Sequence, residues 1–79
     1  MNNVDLDLDA QINDLELEWR LAYDATIVAR TEYQQLAAKS ASVEAQDLAR
    51  ERLEQAEARK ARVMTRIERL EYRLIERQS

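Results

Sequence analysis

A chain with neither glycine nor proline has few ways to make a tight turn or a strand edge, and these 79 residues include neither. Average usage would place roughly five or six glycines and about four prolines in such a length. Glycine supplies the positive backbone angles of hairpin turns and proline presets turn geometry. Their joint absence removes the usual connections of β and α/β folds. Twelve alanines and ten arginines suit long helices instead. The fold class expected is all-α.

The same gaps narrow the chemistry. With no His and no Cys, there is no imidazole for proton transfer or metal ligation and no thiol. Without Gly there is no phosphate-cradling loop. No catalytic residue, cofactor site or metal site is expected, and the protein is expected not to be an enzyme. Asp5, Asp7, Asp9 and Glu16, with Ile12 between them, do follow the ligand spacing of a calcium-binding helix–loop–helix. That loop needs Gly where Ala10 stands, and the four residues before Asp5 leave no entering helix. The acids read instead as a helix N-terminus facing the positive end of the dipole. The pairs Glu51/Glu54 and Glu68/Glu71 read as surface charge on an Arg-rich helix.

Apolar positions advance by alternating fours and threes, the signature of a helix with one packed face. One seam reads Leu8, Ile12, Leu15, Trp19, Ala22, Thr26, Ala29, Tyr33, Leu36. A second reads Ala49, Leu53, Ala56, Lys60, Val63, Ile67, Leu70, Leu74. The two are out of phase, and extending the first would place Ser40, Asp47, Arg50 and Glu54 in the core. The break falls at residues 38–43, where Ser40 or Ser42 can cap a new helix, with Glu44 and Asp47 in its first turns. The chain is therefore expected to be an antiparallel two-helix hairpin, coiled-coil-like. Residues 1–6 form a flexible acidic tail and residues 7–77 one domain, with helix 1 over about 8–38, a turn over about 39–42 and helix 2 over about 43–76. The alternative is one continuous rod of about 105 Å, with a three-residue stammer through Lys39, Ser42 and Gln46.

Folding back near Ala41 sets residues whose numbers sum to about 82 opposite one another. Leu8 then faces Leu74, Ile12 faces Leu70, Leu15 faces Ile67 and Trp19 faces Val63. Further along, Ala22 faces Lys60, Thr26 faces Ala56, Ala29 faces Leu53 and Tyr33 faces Ala49. Large residues oppose small ones in the last two layers, as close packing requires. The Ala22/Lys60 and Thr26/Ala56 layers either let the helices approach closely or leave room for another chain.

Charge separates the helices. Residues 1–38 carry −6 and residues 39–79 carry +2, together the formal −4 of the chain. In helix 2 the residue before each seam position from Leu53 onward is Arg52, Gln55, Arg59, Arg62, Arg66, Arg69 or Arg73. The equivalents in helix 1 include Asp7, Asp14, Glu18 and Glu32 and no base. In an antiparallel pair these flanks meet, so Asp7–Arg73, Asp14 or Glu18 with Arg66, and Glu32–Arg52 are the expected pairs. Such contacts are weak singly but select orientation together.

Helix 1 carries a second apolar stripe, Leu17, Leu21 and Val28, and helix 2 carries Met64 and Ile75 at its other edge. A lone hairpin leaves these wet, so they are candidate contacts for an oligomer or partner, and two hairpins closing into a four-helix bundle would cover them. Tyr23, Ile27 and Tyr72 are further off-seam contact candidates. Apolar runs never exceed three residues, so no membrane span is expected. No secretory signal is read at the start, and a cytoplasmic location is expected. The function expected is a self-associating interaction or scaffolding module, dimeric by preference. One alternative is an adaptor or chaperone that offers the Leu17/Leu21/Val28 stripe to another protein. The other is a dimeric bundle binding RNA or DNA through the helix 2 arginines, disfavoured by the net negative charge.

Overall fold

The computed structural model describes residues 3–78, with side chains for residues 7–77. It contains two α-helices of 36 residues each, α1 (Asn3–Ala38) and α2 (Val43–Gln78), packed against each other. A helix of that length measures about 54 Å at 1.5 Å per residue. The molecule measures 61 × 16 × 14 Å, so the helices lie side by side and the continuous rod is excluded. Among the described residues, no helix is long and apolar enough to cross a membrane.

The helix α1 takes in residues 3–6, which the sequence reading assigns to a flexible tail. No Gly or Pro interrupts them, and extending an existing helix is far easier than nucleating one. Met1 and Asn2 lie outside the described residues, as do the side chains of residues 3–6, including Asp5 of the acidic run.

The turn solves the missing-glycine problem with two serines in different roles. Ser40 adopts the left-handed region, with φ 54°. Its N–H donates to the Ala37 carbonyl at 3.2 Å, and the Ala41 N–H donates to the Leu36 carbonyl at 3.0 Å. These two bonds make a Schellman cap, normally built on glycine, and satisfy carbonyls that the helix end would leave bare. Ser42 then caps α2: its Oγ accepts from the Ala45 N–H at 3.2 Å, and its carbonyl accepts the first helical bond, from Gln46, at 3.0 Å. The Gln46 amide locks the corner by donating to the Ala41 carbonyl at 2.7 Å.

Every seam position of both helices is buried or half-buried. Leu15, Val63 and Ile67 form the core cluster, with Trp19 and Leu70 packed against it. The most completely enclosed side chains are small: Ala22 at 0%, Thr26 at 1% and Ala49 at 2% exposure. Of the two options for the middle layers, close approach of the helices holds. The Thr26 hydroxyl is satisfied within its own helix, donating to the Ala22 carbonyl at 2.9 Å. Two helices can enclose an alanine fully but only partly cover Trp19, Leu53 or Leu74, which stay half-buried.

Candidate functional site

Two edges run the length of the hairpin where the helices meet solvent. Of the expected flank pairs, Glu32–Arg52 forms, with Arg52 Nη1 donating to Glu32 Oε1 at 3.2 Å. Asp14, Glu18, Arg66 and Arg73 are brought into one open cleft near the free ends of the helices, with Arg69 and Leu70. No ion pair joins Asp14 or Glu18 to Arg66, or Asp7 to Arg73, among the described residues. The expectation of those pairs is corrected on this point. An exposed pair in water gains so little attraction that the rotamer freedom of the long side chains opposes it.

The other edge carries contacts that the flank reading missed. Arg30 Nη2 donates to Glu57 Oε1 at 3.0 Å. Arg30 follows Ala29 and Glu57 follows Ala56, so the signal was present in the residue after each seam position. That series in α2 includes Glu54, Glu57, Glu68 and Glu71, against Arg20 and Arg30 in α1. Thus α2 has an arginine edge and a glutamate edge. On the glutamate side, Arg50 lies 5.8 Å from the Tyr33 ring centroid, with Nη2 3.4 Å from the Tyr33 hydroxyl. That hydrogen bond, followed by attraction to the Tyr33 oxygen and to Asp47, raises the Arg50 pKa above its ordinary value. Lys60, the one charged seam residue, projects its Nζ over the Tyr23 ring, which in turn stacks on Trp19 at 5.2 Å. Tyr23 is therefore already occupied within the hairpin.

The candidate contact residues fall on two faces. Leu21 and Val28 precede seam positions and share the Glu32/Arg52 side, with Leu17 further round the back of α1. Met64 and Ile75 follow seam positions and lie on the Arg30/Glu57 side. The five do not form one patch. Leu17, Leu21 and Val28 are 61%, 57% and 66% exposed, whereas Met64 is 36% exposed. Ile75 lies nearer the free end of its helix and is exposed, as is Tyr72.

Beside the apolar stripe, Arg59, Arg62, Arg66, Arg69 and Arg73 follow one another at spacings of three and four along the arginine edge. None of them is in an ion pair among the described residues. The described residues also contain no group of three or more Asp and Glu placed to hold a metal ion. What the arrangement offers is a long face that carries both exposed aliphatic side chains and arginines in no ion pair among the described residues. No family model, curated protein sequence or solved structure matches this chain.

Proposed function

We propose that the protein is a small non-enzymatic interaction module that self-associates, two hairpins closing into a four-helix bundle over the face carrying Leu17, Leu21 and Val28. The observation that carries this reading is the stripe itself, which stays more than half exposed after the hairpin has closed. Its ends lie eleven positions apart, about 16 Å along the helix. The thinness of the hairpin adds support: at 16 × 14 Å in cross-section, it fully buries Leu8, Leu15, Val63 and Ile67 but leaves its other large apolar side chains half-buried or exposed. A second layer of helices is the usual way for such a small chain to complete its core. A cytoplasmic setting belongs to the same proposal, since a chain without Cys gains no disulfide from an oxidising compartment.

Sedimentation equilibrium of the full chain over a range of concentrations tests it. The expected result is the mass of a dimer, reduced to a monomer when Leu17, Leu21 and Val28 are replaced together by Gln. A wild-type chain that stays monomeric throughout would overturn it.

The unpaired arginine row supports a second reading, binding to a nucleic-acid backbone, because arginine suits phosphate geometry. The net charge of −4 and the acidic α1 oppose it. Binding to RNA or duplex DNA that falls steeply with salt would favour this reading over the first.

A further inference from the structure

We infer that the two copies pair with both turns at the same end, so that α1 of each lies along the arginine edge of α2 of the other. The inference rests on the self-association proposed above and specifies its geometry.

A symmetric pair of hairpins meeting face to face has two arrangements. A two-fold axis parallel to the helices brings the turns together and sets α1 against α2 of the second copy. An axis across the helices puts the turns at opposite ends and sets α1 on α1 and α2 on α2. On the face with Leu21 and Val28, α1 is acidic and α2 is lined with arginines. The opposite-end arrangement would stack arginine row on arginine row and acid on acid. Like charges in juxtaposition exclude a mode of docking more strongly than complementary charges favour one. The same-end arrangement crosses the signs.

Particular residues sharpen this. The register that joins Glu32 to Arg52 sets Arg62 opposite Leu21 and Arg59 opposite Ala25. Among the described residues, neither arginine is in an ion pair with an acid across the hairpin. On α1, Asp24 sits in the outward stripe between Leu21 and Val28 and is likewise in no ion pair among the described residues. In the same-end arrangement both shortages resolve together: the arginine stems of one copy cover Leu21 and Val28 of the other, and their guanidinium groups reach its Asp24. The opposite face has less to offer, since Arg30 and Glu57 already pair there and Lys60 already occupies Tyr23.

The absence of Cys makes the test direct. Lys39→Cys in the turn gives a single, exposed attachment point for a spin label. Same-end pairing predicts one inter-label distance well under half the 61 Å length of the hairpin. A distance approaching that full length would overturn the orientation and leave self-association standing. A label with no intermolecular coupling, in a chain of monomer mass, would overturn self-association itself. As a second arm, Arg59→Glu with Arg62→Glu should weaken the dimer by about tenfold or more, the scale of losing charge-assisted contacts across an interface. Adding Asp24→Arg should restore it, with helix content by circular dichroism unchanged throughout. A dimer indifferent to the two glutamates overturns the proposed pairing. So does a monomeric chain whose arginines retain RNA.

Discussion

Lys60 stands in the seam opposite Ala22, yet its Nζ ends 5.4 Å from the centroid of the Tyr23 ring. A lysine at a core position is tolerable when its aliphatic stem packs and its ammonium escapes to the edge. Here Tyr23, stacked on Trp19, receives it. A double-mutant cycle on Lys60→Gln and Tyr23→Leu should show a coupling of about 0.5–1 kcal/mol, as for other part-exposed cation–π contacts. Urea unfolding at fixed protein concentration measures it, and additive losses would remove the contact from the list of stabilising features.

The turn predicts two substitutions of opposite sign. Ser40 holds φ 54°, a region that costs a residue with a Cβ about 1 kcal/mol relative to glycine. Ser40→Gly should therefore raise stability by roughly that amount, with the Schellman bonds intact. Ser42→Ala removes the acceptor for the Ala45 N–H and should lower stability by about 1 kcal/mol, while Ser42→Asp should not. Thermal unfolding followed by circular dichroism reads both.

The enclosed small residues leave no space for larger ones. Ala22→Leu at a fully buried position should force the helices apart and cost about 1–3 kcal/mol. Ile67→Ala in the core cluster should cost about 2–4 kcal/mol through lost burial and a cavity. If Ala22→Leu were instead neutral in chemical unfolding, close approach at that layer would be wrong.

The charged edge divides into paired and unpaired members. A cycle on Glu32 and Arg52, whose side chains are 44% and 55% exposed, should give a coupling below about 1 kcal/mol. Charge reversal at Arg66 and Arg73 should leave the unfolding free energy of the isolated hairpin nearly unchanged, since neither forms an ion pair among the described residues. The same reversal should weaken association, detected as a rise in the dimer dissociation constant. Equal losses in both measurements would place those arginines in intramolecular pairs.

The sequence by itself determined the all-α fold class and the place where the helical pattern breaks, while the 61 Å length of the folded chain decided for the hairpin over the continuous rod. A missing Gly and Pro, a four–three apolar spacing and a phase break at residues 38–43 are local information, and helix formation obeys local rules. The division of labour between Ser40 and Ser42 was open in the sequence because either residue can cap. Only the closed turn assigned the left-handed position to one and the N-cap to the other. The charges followed the same line. Residue spacing placed acids and arginines on facing flanks, but long side chains on a solvated edge exchange among rotamers for well under 1 kcal/mol, so spacing could not say which would pair. Tertiary structure decided that Glu32 meets Arg52, that Arg30 meets Glu57 on the edge left unread, and that Arg59 and Arg62 are in no ion pair among the described residues. Faces of a helix pair exist only once the interhelical register is set, and that register came from fitting large side chains against small ones along the whole seam.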